Sequence, residues 1–401
     1  MKKQFCAVVM SAIMALSLVA CGSSSSGGSD TTAATTAGTA AEGSSSAQVY
    51  KLGTIGPLTG EAAIYGQAVA RGAQIAVEEL AASGSSIQFE INSQDDEADG
   101  EKSKNAYNNL MDWGMQVLVG PTTTGASLTV SDLCFDERTY MLTPSASSFD
   151  VVDGKDNVFQ VCFTDPNQGV GAADYIAASE ELSSKPIAVI YRNDDAYSQG
   201  IEQTFKAQAE ANSLEVVYEG TFTADTATDF TVQLTSARDA GAELIFLPIY
   251  YQPASVILNQ AASMGYEPTF FGVDGMDGIL TLEGFDISLA EGVMLLTPFS
   301  ADAQDEKTQN FVKLYQEKFG EVPNQFAADA YDAVYIIVAA LEAAGCTADM
   351  STTEICEALV PAMTQISVDG VTGSGMTWSA TGEVSKAPTA VVIKDGEYVL
   401  P

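Results

Sequence analysis

The sequence predicts an α/β protein built of two doubly wound, parallel-sheet lobes, and three observations lead there. Strand-like apolar runs and amphipathic helical stretches alternate from Tyr50 onward, as they do where helices cover both faces of a parallel sheet. The alternation restarts after TDPNQG at 164–169, so a second sheet begins where the first ends. With 401 residues, 46 % of them hydrophobic, the chain can bury two cores after its non-folding segments are set aside.

The elements follow in order. YKLGTIGPL (50–58) reads as a strand and loop, and AAIYGQAVARGAQIAVEELAAS (62–83) as a helix with small and apolar residues at helical spacing. IQFEINSQ (87–94) is the next strand, followed by the helix GEKSKNAYNNLMDW (100–113) and the strand MQVLVG (115–120). The helix ASLTVSDLCFDER (126–138) and the strand TYMLTPS (139–145) complete the first series. The second series runs helix 169–182, strand KPIAVIY (185–191), helix 200–213, strand EVVYEGTF (215–222), helix 229–241 and strand AELIFLP (242–248). It ends with helix PASVILNQAASMG (253–265) and strand PTFFGV (268–273). After VMLLTPFS (293–300) come two long helices, at 309–320 and 327–345, and a short β-rich tail from Met376. The chain is thus expected to return to the first lobe after Thr297 and to cross again near Thr377. Lobe 1 would comprise 49–165 with 298–377, and lobe 2 would comprise 166–297 with 378–401.

Charge and composition remove whole function classes. Seventeen Lys and Arg stand against 53 Asp and Glu, a net charge of −36, so the protein's field repels nucleic acid and anionic head groups. There is no histidine, which excludes Ser-His and Cys-His hydrolase arrangements and His-ligated zinc.

The N-terminus reads as a processing and anchoring segment. Lys2 and Lys3 precede an apolar stretch too short to span a bilayer comfortably, and that stretch ends at Leu18-Val19-Ala20-Cys21. It resembles a bacterial lipoprotein signal, which implies removal of residues 1–20 and a lipid on the Cys21 thiol. Residues 21–48 are rich in Ser, Gly, Thr and Ala and would form a flexible tether. The apolar VYIIVAAL at 334–341 lies inside a helical pattern and is read as core. Four further cysteines remain; Cys346 and Cys356 flank a loop between two helical patterns and are the expected disulfide pair, ahead of Cys134 and Cys162.

In open α/β sheets ligands sit beyond the carboxyl ends of the strands, where helix N-termini point outward. Every polar cluster of interest falls there. Thr122, Thr123 and Thr124 follow VLVG; Ser145, Ala146 and Ser147 follow YMLTP; a loop with Tyr197 follows IAVIY; Tyr250 and Tyr251 follow LIFLP; Asp274 follows TFFGV. Hydroxyls at helix starts suit a carboxylate without a lysine, and an acid opposite them suits an ammonium, so a zwitterion fits both ends. The adjacent Tyr250 and Tyr251 point in different directions on an extended stretch, so one of them belongs to the core.

Other motifs fall away. GPTTTGAS lacks the Lys-Ser/Thr of a phosphate-binding loop, and GTIGPLTG lacks dinucleotide-fingerprint spacing. The acidic run DDEADGE (95–101) resembles a calcium loop until its twelfth position, where Ala106 replaces the bidentate glutamate, and it reads better as a turn capping the next helix. No metal or cofactor is expected.

Six stretches in this order also resemble a known family: GPLTGEAAIYG (56–66), DDEADG (95–100), VGPTTTGAS (119–127), TPSAS (143–147), IYYQPA (249–254) and FGVDGMDG (271–278). The chain resembles, from about Tyr50 to its end, the Leu/Ile/Val-type periplasmic binding proteins, the substrate-binding components of branched-chain amino acid ABC importers. The resemblance implies a type I periplasmic-binding fold, two lobes joined by a three-crossover hinge that close on a ligand. It implies that Tyr65 lines the mouth, that Thr124, Ser147 and the backbone around Ser145 take an α-carboxylate, that Tyr197 and Asp274 take the α-ammonium, and that Tyr250 covers the ligand. Asp274 stands where the family more often carries a longer glutamate.

The expected function is therefore that of a membrane-tethered, monomeric, extracytoplasmic solute-binding protein that captures an amino acid, branched-chain or similar, between its two lobes and delivers it to an ABC permease. The alternative is a ligand-sensing receptor of the same fold that signals through a membrane partner. An enzyme is disfavoured, because no nucleophile-base motif is present.

Overall fold

The computed structural model describes residues 47–401. The leader, Cys21 and nearly all of the tether lie outside the described residues; Gln48, expected at the end of the tether, already belongs to the first strand.

Strand β1 (Gln48–Gly56), helix α1 (Ala63–Ser83), β2 (Ile87–Asp95), α2 (Gly100–Trp113), β3 (Val117–Val119), α3 (Thr124–Glu137), β4 (Tyr140–Thr143) and β5 (Val158–Gln160) form the first series. Their strands make a five-stranded sheet in the order β2-β1-β3-β4-β5, parallel throughout. The second series is α4 (Asp165–Ala178), β6 (Ile187–Arg192), α5 (Ala196–Ala211), β7 (Val216–Phe222), α6 (Thr231–Asp239), β8 (Leu244–Leu247), α7 (Tyr251–Ser263), β9 (Thr269–Gly272) and β10 (Met294–Thr297). Then come α8 (Glu306–Phe319), α9 (Gln325–Ala344), α10 (Thr352–Met363), β11 (Thr389–Lys394) and β12 (Glu397–Val399). The second sheet has seven strands in the order β12-β11-β10-β9-β8-β6-β7, and only β11 and β12 run antiparallel to their neighbours.

Burial explains the strands. Val117–Val119, Tyr140–Thr143 and Leu244–Leu247 are buried at every position, as central parallel strands covered on both faces must be. Helices α8, α9 and α10 return to the first sheet. Helix α9 lies so close to α1 that a Cβ on Gly72 would sit 2.0 Å from the Ala327 carbonyl oxygen, which fixes glycine there. Strand β5 was not expected; three buried residues are too few to show a periodicity. No helix among the described residues is long and apolar enough to cross a membrane.

The chain passes between the sheets three times: from β5 into α4, from β10 into α8, and from the α9–α10 side back into β11. The last crossing comes later than Thr377. The Trp378 indole N–H donates to the Gln160 carbonyl at 2.9 Å and the Gln160 amide donates to Gly382, which holds this segment along β5 of the first sheet. It is tied again by Lys386, whose ammonium reaches Asp329 of α9 at 2.7 Å and the Thr372 hydroxyl at 2.6 Å in a fully buried setting.

The acidic run caps a helix start. Asp95 accepts from the amides of Leu58 and Glu97, Asp96 from the Ala98 amide and the Ser103 hydroxyl, and Asp99 from the Lys102 amide. The expected Cys346–Cys356 disulfide is not formed, and Cys134 and Cys162 are free as well. Cys346 follows the end of α9, its backbone held by Leu341 and the Tyr50 hydroxyl, whereas Cys356 lies on the buried face of α10 within electrostatic reach of Cys134 and Tyr140.

Removing one partner of the Lys386–Asp329 pair leaves the other charge buried alone. Lys386→Ala should lower the unfolding free energy by about 3–5 kcal/mol, and the double change Lys386→Met with Asp329→Leu should recover most of that loss in urea denaturation.

Candidate functional site

Four helical N-termini and one strand-end turn converge between the lobes. Thr123 is the N-cap of α3 and Thr124 its first helical residue; Tyr250 is the N-cap of α7, Tyr197 lies in the first turn of α5, and Asp274 opens a 3-10 turn after β9. Tyr197 is thus helical rather than in the loop the sequence suggested. Helix α9 completes the set with Phe326 in its first turn.

These side chains enclose an inner chamber lined by Tyr65, Thr122, Thr123, Thr124, Ser145, Tyr197, Tyr250, Asp274, Gly275 and Phe326. Its cavity volume is about 10 Å³, room for one water-sized sphere, so the lobes are shut tightly here. Outward, past Thr123 and Tyr250, the cleft widens to about 530 Å³.

One wall is a set of hydroxyls. Thr122 and Ser145 spend theirs on the protein: Thr122 Oγ1 donates to the Ile55 carbonyl at 3.3 Å, and Ser145 Oγ to the Thr122 carbonyl at 2.6 Å. The hydroxyls of Thr123 and Thr124 are buried and have no protein partner. Thr123 caps no amide of α3, so its oxygen is left for something else. Free hydroxyls at a helix N-terminus favour an anionic group.

The facing wall carries one acid. Asp274 is buried and accepts from the Tyr197 hydroxyl at 2.5 Å, while the Gly275 amide donates to the same hydroxyl at 3.0 Å. Burial pushes the Asp274 carboxyl up from 3.8 to about 7; its hydrogen bonds to Tyr197 and Gln168 pull the other way without reversing it. Burial, then the Asp274 charge, raises Tyr197 well above the usual phenol range, so Tyr197 stays a donor. Its ring stacks on Tyr250 at 4.8 Å between centroids. Gly275 permits that stack, since a Cβ there would sit 2.5 Å from the Tyr197 oxygen and 2.9 Å from the Tyr250 ring.

Cross-lobe hydrogen bonds hold the chamber shut. The Tyr65 hydroxyl donates to the Gly275 carbonyl and accepts from the Tyr251 amide at 3.1 Å, and the Tyr251 hydroxyl donates to the Glu61 carbonyl at 2.7 Å. Gln168 of α4 bridges the lobes, its oxygen taking the Asp274 amide at 3.1 Å and its amide contacting Ser147 Oγ at 3.4 Å. At the start of α9, Gln325 donates through its backbone to Asp277 at 3.0 Å and through its side chain to the Asp274 carbonyl at 3.2 Å.

The structure therefore brings together Tyr65, Thr122, Thr124, Ser145, Tyr197, Tyr250 and Asp274. It does not bring Ala146 or Ser147 to the chamber. The Ala146 amide is bound to Thr143 Oγ1 at 3.0 Å and its carbonyl to Gln160 at 2.8 Å, while Ser147 is turned into the buried contact with Gln168. Sequence reasoning missed the chamber residues Gly275 and Phe326 and the bridging Gln168. Of the tyrosine pair, Tyr250 lines the chamber and Tyr251 is the buried member, with a latch role the sequence did not suggest.

Comparison with known proteins fits this geometry. A family model described as "Periplasmic binding protein" matches residues 49–397. A Leu/Ile/Val-binding protein homolog from Brucella melitensis is 29 % identical over 360 residues, covering 87 % of this chain and 92 % of its own. A leucine-, isoleucine-, valine-, threonine- and alanine-binding protein from Pseudomonas aeruginosa is 28 % identical over 306 residues, covering 75 % and 80 %. Among solved structures, the branched-chain amino acid transporter substrate-binding protein LivJ from Streptococcus pneumoniae, in complex with isoleucine, superposes with a TM-score of 0.78 at 27 % identity, covering 88 % of this chain and all of that one.

Burial raises the Asp274 carboxyl only in the shut form, so closing of the cleft is pH-dependent with a defined sign. Protonation favours the shut form, so closing of the empty cleft is easier in acid and that advantage is lost as pH rises through about 7. Small-angle scattering of ligand-free protein should show more of the closed form at about pH 5.5 than at about pH 7.5, and Asp274→Asn should flatten the dependence.

Proposed function

The chain belongs to the periplasmic binding protein family, and on that premise we propose that it captures an amino acid between its lobes outside the cytoplasm and delivers it to an ABC permease. The observation that carries this reading is the opposition of two kinds of group across one chamber. The unpartnered hydroxyls of Thr123 and Thr124 stand at the N-terminus of α3, and Asp274 with Tyr197 stands on the other lobe. The hydroxyls and helix end take the α-carboxylate; Asp274 takes the α-ammonium.

Capture then follows from closure. In the open protein Asp274 is hydrated and the two halves of the site are apart. A bound zwitterion supplies each half with its partner, so the closed state gains only when both ends are engaged. Tyr65 and Tyr251 complete the latch through hydrogen bonds to Gly275 and Glu61, and Tyr250 covers the ligand from the side of α7. No step requires covalent chemistry. The signal-like N-terminus supports lipidation at Cys21, which would keep the folded body at the membrane where the permease resides.

Asp274→Ala should lose about 2–5 kcal/mol of binding free energy for the amino acid that stabilises the wild type most in a thermal-shift screen, with an unchanged circular dichroism spectrum. Undiminished affinity in that variant would remove the assignment. Cys21→Ser should shift the protein from the membrane fraction to the soluble extracytoplasmic fraction; continued membrane retention would argue against the anchor.

A further inference from the structure

We infer that a second cavity between the lobes, separate from the chamber and its outer cleft, binds a small amphipathic ammonium compound, with the charged head on Asp277 and Tyr398 and the hydrocarbon body on the apolar side chains around them. The inference goes beyond the amino-acid reading and does not rest on it.

The cavity volume is about 390 Å³. That falls within the roughly 300–1,000 Å³ that small-molecule sites occupy. Its walls come from both sides of the cleft. Asp277 and Leu280 follow β9 and Tyr398 stands on β12, whereas Val312 lies on α8 and Pro323 in the loop before α9, with Phe299 on the crossover between β10 and α8. It shares no lining residue with the chamber or the outer cleft.

Two buried polar atoms at this cavity lack partners among the described residues. Asp277 is only 3 % exposed; its Oδ2 accepts the Gln325 amide at 3.0 Å, and its Oδ1 accepts nothing. The Tyr398 hydroxyl is buried and unpartnered too. Burial pushes the Asp277 carboxyl up; the Gln325 amide and the nearby Tyr398 hydroxyl pull the other way without reversing it, although Tyr398 is not aimed to complete a hydrogen bond with either carboxylate oxygen. Native interiors rarely leave such atoms unpaired. An ammonium has three donors and no acceptor, so one such group between Asp277 Oδ1 and the Tyr398 oxygen satisfies both and balances the acid's charge. A bridging water would serve the same two atoms but leave Leu280, Phe299, Val312 and Pro323 facing solvent, whereas a hydrocarbon body covers them. The other charged residues of the lining are Asp302 and Glu397, and no Lys or Arg lines the cavity among the described residues, so an anionic compound meets no counter-charge. A wholly apolar compound would leave both orphaned oxygens as they are.

The test compares phenethylamine with phenethyl alcohol, which keeps the ring and stem and replaces the ammonium by a neutral hydroxyl, by calorimetric titration of the full chain near neutral pH. The amine should bind about tenfold more tightly or better. Asp277→Asn, which keeps an oxygen for the Gln325 amide, should abolish that difference, while Asp274→Asn should retain it. Leu280→Trp, which fills the cavity and leaves the acid in place, should weaken both compounds. Equal affinity for amine and alcohol, no binding of the amine, or amine binding that survives Asp277→Asn would each overturn the second site. Loss of amine binding in Asp274→Asn instead would put the compound in the inner chamber and overturn it as well. None of these results decides whether the chamber takes an amino acid, so the two readings fail separately.

Discussion

A carboxylate stripped of water at the centre of a closed cleft is the constraint on which the rest of the site depends. Asp274 keeps one strong donor, Tyr197, and no cation among the residues that line the chamber. A lone ionised carboxylate in such a place is unfavourable, which is why burial lifts it to about 7. Shutting the lobes without a partner for that charge means either protonating it or leaving it poorly solvated. A ligand ammonium relieves both penalties at once, and the gain appears only after the lobes meet. On the proposed reading, the group that confers affinity also makes closure conditional on cargo.

The scaffold puts this device in place through helix starts. Strand ends of the two parallel sheets face one another, and α3, α5, α7 and α9 each turn their first residues into the gap. Helix N-termini are suited to an anion, and α3 adds two hydroxyls that serve no cap or core contact. On the other lobe stands an acid, Asp274, on a short turn that Gln168 and Gln325 pin on two sides. The Tyr65–Gly275 and Tyr251–Glu61 hydrogen bonds add a latch of neutral groups whose contribution is present only in the shut form. The buried Lys386–Asp329 pair, near enough for the Asp329 charge to act on Asp274, ties the last crossover to α9.

Much of this was legible in the sequence, and the misses have a common cause. Continuous apolar runs such as VLVG and LIFLP announce covered parallel strands, and helical periodicity locates the helix bodies. Helix starts at the cleft were read too late: α5 begins at Ala196 rather than Gly200, α7 at Tyr251 rather than Pro253, and α4 at Asp165 rather than Gly169. Their first turns face the site or the lobe junction, so they carry Tyr, Ser, Asp and Gln where helical periodicity looks for apolar residues every three or four positions. The chemistry of the site thus masked its own secondary structure. Ser147 and Ala146 illustrate a second limit: a strand-end motif gives the neighbourhood of a residue but not its direction. Here Thr143, Gln160 and Gln168 absorb the polar groups of both residues. The missing Cys346–Cys356 bond shows the same gap, because flanking a loop does not make two side chains face each other.

The central claim is that the Asp274 charge holds the lobes apart until a cation arrives, and single-molecule fluorescence transfer between dyes on the two lobes tests it directly. In ligand-free protein near pH 8, where the carboxyl is ionised, Asp274→Asn should populate the closed distance more than the wild type does, although it binds amino acids far more weakly. A wild type and variant with the same closed population in the absence of ligand would contradict the account.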